Sequence, residues 1–400
     1  MTTSDVHRRA TLAFTTALLL AACGGGERAV PLAVATIDTL PGGAISVISP
    51  GPTAWTDTNG WRLVEAGRIR GEPGEGGELI TPVSMAVDAA GRVYVSDRSP
   101  ALIKVFDSAG TLVRTIGREG AGPGEYKSAF IAVKGSLLAV HDPAQSRTSL
   151  FDTAGTYLRS WPSGCCYFMA IQFDDQHRIV IPIPGDARSE GVQRYVRYDT
   201  LGAPVDTLRL TLPPEGKNWT VRSANSAMSM GIPFMPGLVR TLDPRGGMLF
   251  GMSDAYRLVR SSTGQDTVRI FGRAWAPAPL GDDRRRTAVE EAIRNAGPRW
   301  DQVMLRNTLA LSDVPTTLPA FDAASVDAEG NVWVRTDADS SHTLFDVFDA
   351  EGVFLGPVSV DALLPIYGAS AWGPGMRYAA LEDENGTPEI RRYRIDRSRR

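Results

Sequence analysis

The chain has 400 residues, of which 43% are hydrophobic and 22% charged, and it contains 41 glycines and 27 prolines. That content of glycine and proline is typical of an all-β protein built from many short strands and turns. The net charge of −3 argues against nucleic acid or an anionic membrane surface as the main partner.

The N-terminus has the features of an export signal. Basic residues precede a short apolar run at residues 10–20, and the sequence Leu-Ala-Ala-Cys then ends at Cys23. An apolar run of this length is too short to span a bilayer, which takes about 20 residues. Leu-Ala-Ala-Cys resembles the lipobox of bacterial lipoproteins, which implies cleavage before Cys23 and acylation of its thiol. An ordinary signal peptide with a coincidental cysteine remains the alternative.

The resemblance divides the chain into a signal peptide at residues 1–22, a flexible glycine-led tether at 23–44 and a folded domain at 45–400. Glycine after the acylated cysteine implies passage to the outer membrane in bacteria with two membranes. The lipid would then be the only membrane attachment.

One strand pattern recurs along the folded domain. Residues 83–116 alternate as four short strands, with Asp-x-x-Gly turns at 88–91 and 107–110. Related turns recur at residues 152–155, 199–202, 261–264, 327–330 and 349–352. A sixth unit begins near Ile366 and ends before its outer strand, which residues 61–69 could supply from the N-terminus. The pattern predicts a six-bladed β-propeller closed by strands from both chain ends.

These units resemble NHL-type repeats, and the whole chain is similar to the six-bladed β-propeller lipoproteins of bacteria. The similarity covers residues 45–396 and depends on the Asp-x-x-Gly turns, the strand at 104–107 and the glycine-rich loop at 120–126. It implies a fold and no particular activity.

Long insertions separate the units at residues 118–129, 212–237, 273–320 and 359–376. With strands named A to D from the axis outward, each insertion joins strand D of one blade to strand A of the next. All should emerge on one face, which we expect to carry function. Residues expected to form a ligand-binding rim there are Tyr126, Met228, Met230, Phe234 and Met235. For the methionines, packing of a lid onto the scaffold is the alternative.

The insertion at 273–320, between the fourth and fifth blades, contains the one helix that the sequence predicts. Asp282 and Asp283 are placed to cap it, an apolar stripe follows at residues 288–296, and Gly297 ends it. The arginines at 284–286 form either a solvated face or an anion-binding patch.

No catalytic residue is predicted, because no zinc-binding, nucleophile-elbow or nucleotide-binding spacing is present. Asp97, His141 and Asp142 are weak metal-ligand candidates, since each follows strand B where it could reach the channel mouth. The alternative is that each carboxylate bonds its own turn. No cofactor is predicted, with Ca²⁺ at these positions left open. The adjacent Cys165 and Cys166 could form a vicinal disulfide or remain two buried thiols.

We therefore expect a lipid-anchored, extracytoplasmic module of the cell envelope that binds a protein, a peptide or a glycan. The alternative is a metal-dependent hydrolase or lyase, similar to the lactonases among six-bladed propellers, that uses the channel mouth.

Overall fold

The computed structural model describes residues 35–51, 53, 55, 60–71, 76–164, 169–183, 191–223, 225–298, 300–339, 341–365 and 369–397. Its strands are, in chain order, β1 (Thr36–Thr39), β2 (Ile45–Ser49), β3 (Arg62–Ile69), β4 (Pro82–Val87), β5 (Val93–Arg98), β6 (Ala101–Phe106), β7 (Leu112–Ile116), β8 (Arg118–Glu119), β9 (Glu125–Tyr126), β10 (Phe130–Lys134), β11 (Leu137–Asp142), β12 (Arg147–Asp152), β13 (Tyr157–Pro162), β14 (Gln172–Phe173), β15 (Ile179–Ile183), β16 (Val192–Tyr198), β17 (Pro204–Thr211), β18 (Asn218–Arg222), β19 (Ala227–Gly231), β20 (Leu238–Asp243), β21 (Gly247–Met252), β22 (Arg257–Ser261), β23 (Arg269–Arg273), β24 (Ala323–Val326), β25 (Val332–Ala338), β26 (Thr343–Phe348), β27 (Phe354–Val360), β28 (Ser370–Gly373), β29 (Met376–Glu382) and β30 (Pro388–Asp396).

Six four-stranded antiparallel meanders form the blades of a β-propeller. Blades one to five are β4–β7, β10–β13, β14–β17, β20–β23 and β24–β27, and blade six is β28–β30 with β3 as its outer strand. Strand direction alternates within a meander, so the D–A and B–C connections lie on one face of the ring. We call this face the inserted rim.

The two ends of the chain close the ring, as predicted. Strand β3 pairs antiparallel with β30, from Arg62 opposite Asp396 to Ile69 opposite Ile390. Blade six therefore joins N-terminal and C-terminal segments, so no blade is left with an unpaired gap.

An N-terminal hairpin widens blade four. Strands β1 and β2 pair antiparallel, and β2 runs parallel to β23, with Ile45 opposite Arg269 and Ser49 opposite Arg273. Residues 36–44, within the segment expected to be a tether, thus form a strand and a turn at the outer edge of this blade.

The core consists of apolar layers between neighbouring blades. Strands B and C are covered on both faces, so β5 is buried from Val93 to Asp97, whereas the outer strand β27 alternates between buried and less buried positions. Between blades one and two, for example, Ile103 and Val105 pack with Leu138 and Phe151.

The Asp-x-x-Gly turns are present where the sequence predicts them. In the first, one Asp88 carboxylate oxygen accepts the backbone N–H groups of Ala90 and Arg92, at 3.0 Å each, and Gly91 has φ +77°. Such an Asx turn stabilises the reversal of chain direction with hydrogen bonds between nearby residues. Glycine is favoured at the fourth position because φ is positive there. Blade three uses His177, with φ 59°, at the corresponding position.

Arginines connect successive blades. In each of five C–D turns, the carbonyl oxygen of the second residue accepts a hydrogen bond from an arginine of the preceding blade. The pairs are Arg114 to Thr153, Arg159 to Thr200, Arg197 to Ser262, Arg260 to Ala350 and, across the ring closure, Arg392 to Ser108.

The third long insertion contains two helices, α1 (Asp282–Asn295) and α2 (Gln302–Thr308), followed by a short 3₁₀ turn at Leu311–Asp313. The N-cap of α1 is Gly281, so Asp282 and Asp283 lie in the first turn and do not cap the helix as expected. Gly297, with φ +84°, follows the helix as predicted. Helix α2 is not predicted from the sequence, because seven residues give too short a periodic pattern to recognise.

The second and third long insertions of the inserted rim fold together. The hairpin β18–β19 packs on α1 and α2 around buried Trp219, Val221, Ile293 and Leu305. We call residues 218–235 and 282–314 the rim subdomain. No helix in the described part of the chain is long and apolar enough to cross a membrane.

Candidate binding cavity on the inserted rim

A cavity of about 280 Å³ lies between the rim subdomain and blades four and five. We call it the rim cavity. Its lining residues are Phe234, Met235, Gly237, Leu238, Val239, Ser253, Arg284, Leu318, Pro319, Phe321, Asp322, Thr336, Asp337 and Ala338.

The topology explains why these residues meet. Strand β20 begins at Leu238, a short loop after the hairpin β18–β19. Strand β24 begins at Ala323, just after the helical insertion. Strand B of blade five, β25, ends at Ala338 on the same face. Two D–A connections and one strand end therefore border a space that neither blade forms alone.

An ion pair joins the rim subdomain to blade five across this cavity. Arg284 of α1 donates two hydrogen bonds to the carboxylate of Asp337, one of them at 3.1 Å, and a third to the Ala338 carbonyl at 2.9 Å. The bonds to Asp337 raise the pKa of Arg284 despite its partial burial. The guanidinium also lies 5.2 Å from the centre of the Phe234 ring, within the range of a cation–π interaction.

A second ion pair supports the same wall. Arg335 donates to both carboxylate oxygens of Asp322, at 2.7 Å each, and to the Leu364 carbonyl at 2.9 Å. The Asp322 side chain is 42% exposed, whereas that of Arg335 is 7% exposed. The carboxylate thus faces the open space and its guanidinium partner lies behind it.

Hydroxyl groups and apolar side chains complete the lining. The Ser253 hydroxyl oxygen accepts the Gly237 N–H at 3.0 Å, and Thr336 donates weakly to the Leu344 carbonyl at 3.4 Å. The apolar part comes from Phe321, which is fully buried, and from Leu318. The cavity therefore offers hydrogen-bond donors and acceptors beside an apolar surface, the usual composition of a ligand site.

The residues expected at a ligand-binding rim separate into three groups. Phe234 and Met235 line the cavity. Met228 and Met230 pack against the core of the rim subdomain, where they hold the hairpin on the helices.

Tyr126 lies elsewhere, and its expected position on the rim is wrong. It is 1% exposed between blades one and two, where its hydroxyl donates to the Ile116 carbonyl and accepts the Ile103 N–H at 2.8 Å. Its aromatic ring fills an inter-blade gap instead of facing solvent.

The arginines at 284–286 do not share one face, because two of the three bond to other parts of the protein. Arg284 pairs with Asp337 as above, and Arg285 is buried, donating to Asp282 and to the carbonyls of Leu311 and Val314. Of these three arginines, Arg286 is the one that lies mainly on the surface, where it pairs with Asp283.

The weak metal-ligand candidates are each used by local structure. Asp97 accepts the N–H groups of Ile80 and Thr81, at 2.8 and 2.6 Å, and pairs with Lys104 at 2.9 Å. Asp142 accepts the Lys127 N–H at 2.7 Å and three further bonds from residues 144 and 145. Both carboxylates thus tie the end of strand B to the preceding D–A connection.

His141 is buried beside Asp142. Its Nδ1 lies 3.1 Å from the Thr148 hydroxyl and 3.2 Å from that of Ser163, and burial lowers its pKa to about 4. Among the described residues, no group of three or more His, Cys, Asp or Glu side chains could hold a metal ion. Cys23, Cys165 and Cys166 lie outside the described residues.

Three charged residues of the site were not predicted from the sequence: Asp322, Arg335 and Asp337. A signal for Asp337 was present, because it lies near the end of strand B of blade five, as Asp97 and Asp142 do in their blades. Asp322 and Arg335 gave no local signal, since their pairing depends on the register between β24 and β25.

A match to one family model supports the fold. Residues 78–172 match the model of a family described as "6-bladed beta-propeller" (DUF5128). The search of curated proteins found no match.

Solved structures similar to the chain come from several bacteria. One from Bacteroides fragilis is 14% identical, covering 85% of this chain and 98% of that one, with a TM-score of 0.47. A member of the DUF4221 family from Bacteroides vulgatus is 11% identical over 85% and 100%, with a TM-score of 0.48. Virginiamycin B lyase from Staphylococcus aureus is 10% identical over 84% and 100%, with a TM-score of 0.42. No activity is transferred from these proteins to this chain.

Proposed function

We propose that this propeller is a lipid-anchored, extracytoplasmic binding module whose ligand occupies the rim cavity. The observation that carries the proposal is the cavity itself, since residues of two separate insertions and two blades line it. We expect the ligand to be part of a protein, peptide or glycan of the cell envelope.

The construction of the site supports binding. The rim subdomain has its own apolar core and is held to blade five by the Arg284–Asp337 pair. A rigid scaffold with polar groups held in place lowers the entropic cost of binding.

The export signal supports the location. Cys23 follows a short apolar run and a lipobox-like sequence, as in a lipoprotein that a lipid holds at the membrane. The outer membrane is the proposed destination.

A metal-dependent hydrolase or lyase at the channel mouth has less support. Asp97 and Asp142 accept several hydrogen bonds from nearby backbone groups, so recruiting either to a metal would leave those N–H groups without acceptors.

Affinity capture from envelope extracts tests the proposal. Leu318 lines the cavity, so Leu318→Trp should fill it and abolish the capture seen with the wild-type domain. Leu363→Trp is the matched control, because Leu363 is 45% exposed on another D–A connection and should leave capture unchanged. Equal capture by wild type and Leu318→Trp would contradict the proposal.

A further inference from the structure

We infer that the rim cavity binds an uncharged, polyhydroxylated ring, such as a neutral pyranose unit of an envelope glycan. This inference rests on the proposed function and adds the chemical class of the ligand.

The charges at the cavity are already balanced. The two lining carboxylates, Asp322 and Asp337, are each paired with a guanidinium in bidentate geometry. A cationic ligand would have to compete with those guanidiniums, which are held by further carbonyl bonds. Binding a charged group in this place would therefore break existing pairs or bury an unbalanced charge.

An anionic ligand is disfavoured as well. Among the described residues of the lining, Arg284 is the one cation, and its guanidinium is bonded to Asp337 and to the Ala338 carbonyl. The neighbouring Asp339 and Asp322 add negative charge close enough to raise the pKa of Arg284.

The remaining hydrogen-bonding capacity suits hydroxyl groups. A carboxylate can accept about four bonds and a guanidinium can donate five, so the paired Asp322, Asp337 and Arg284 keep unused positions. The Ser253 hydroxyl accepts the Gly237 N–H and still has its own proton to donate. A sugar hydroxyl both donates and accepts, so adjacent hydroxyls can bridge carboxylate and guanidinium without disturbing either pair.

The apolar wall and the size fit one ring. Phe321, Leu318 and Val239 present carbon surface that can pack against the C–H groups of a pyranose. Ligand pockets span roughly 300–1,000 Å³, and this cavity of about 280 Å³ is at the lower end. One terminal or branching sugar fits these dimensions better than a chain of several.

Ligand-observed saturation-transfer NMR on the mature domain tests the inference. The probes are the uncharged methyl pyranosides of glucose, mannose and galactose, with glucuronate as the anionic analogue and glucosamine as the cationic one. We expect at least one uncharged pyranoside to bind and Leu318→Trp to abolish that binding. Asp322→Asn and Asp337→Asn should each weaken it about tenfold, the effect of losing a bond to a charged group.

The control is Asp283→Asn. It changes a surface carboxylate on α1, the helix that carries Arg284, at a position outside the cavity, and it should leave binding unchanged. Absence of binding by all three uncharged pyranosides would overturn the inference, as would tighter, cavity-dependent binding of glucuronate or glucosamine. If envelope capture remains sensitive to Leu318→Trp in that case, the binding module stands and only the ligand class is wrong. If envelope capture is also insensitive to Leu318→Trp, both the proposed binding module and the proposed ligand class are overturned.

Discussion

Arg284 of helix α1 and Asp337 of strand β25 form a bidentate ion pair that fastens the rim subdomain to blade five. The side chains are 33% and 25% exposed, so solvent screens the pair only in part. The same pair forms one wall of the rim cavity and so links the stability of this region to its binding surface.

Breaking this pair should loosen the rim subdomain. In a double-mutant cycle with Arg284→Ala and Asp337→Ala, urea unfolding should give a coupling free energy of about 1 kcal/mol, discounted for partial exposure. Limited proteolysis between residues 274 and 322 should become faster in either single mutant. Arg286→Ala, which removes only the surface pair with Asp283, should change neither measurement. A coupling of zero with unchanged proteolysis would show that the pair does not fasten the subdomain.

The ring closure depends on an arginine as well as on strand pairing. Arg392 of blade six donates to the Ser108 carbonyl in blade one. Arg392→Met should lower the free energy of unfolding by about 1 kcal/mol, the net value of one hydrogen bond. Arg394→Met, on the same strand but paired only loosely with Asp396 at 3.7 Å, should have a smaller effect in the same denaturation experiment. Equal effects of the two changes would argue against a closing role for Arg392.

The buried Tyr126 hydroxyl should contribute to stability between blades one and two. Tyr126→Phe leaves the buried Ile103 N–H without its acceptor, which should cost about 1–3 kcal/mol in the free energy of unfolding. The matched change Tyr157→Phe removes an exposed hydroxyl bond to Ser160 and should cost less. If chemical denaturation shows no loss for Tyr126→Phe, the hydroxyl does not stabilise this interface.

His141 should make the domain sensitive to acid. Burial lowers its pKa to about 4 in the folded state, from about 6.5 in the unfolded chain. The unfolded chain therefore binds more protons between these values, and stability present above pH 6.5 is lost as the pH falls toward 4. The loss attributable to this group is about 3 kcal/mol.

Replacing His141 with glutamine should make the free energy of unfolding less dependent on pH between 6.5 and 4. His177→Asn, at an exposed turn position with positive φ, should keep the wild-type dependence. A pH profile that is the same in His141→Gln and wild type would contradict this assignment.

The fold could be predicted because its signals are local. Each Asp-x-x-Gly turn uses bonds within five residues, as between Asp88 and Arg92, and strand alternation is visible in the residues themselves. Strand β3 could be predicted as the closing strand because the sixth repeat ends before its own outer strand. The arginine contacts between blades were not predicted, because Arg260 and Ala350 meet only after two blades are in place.

The site was predicted only in part for the same reason. Phe234 and Met235 stood out as apolar residues in a loop, and both line the cavity. Their partners across the cavity, Asp322 and Asp337, belong to blade five and come close only through tertiary packing. Asp97 and Asp142 looked alike in sequence because both carboxylates bond the end of strand B to the preceding D–A connection.

NMR of the methionine methyl groups tests the central claim most directly. Met235 lines the rim cavity, whereas Met85 is buried in blade one and serves as an internal reference. On titration of the mature domain with the envelope fraction that it captures, the Met235 signal should shift and the Met85 signal should stay. An unchanged Met235 signal under conditions of demonstrated capture would contradict the claim that the ligand occupies the rim cavity.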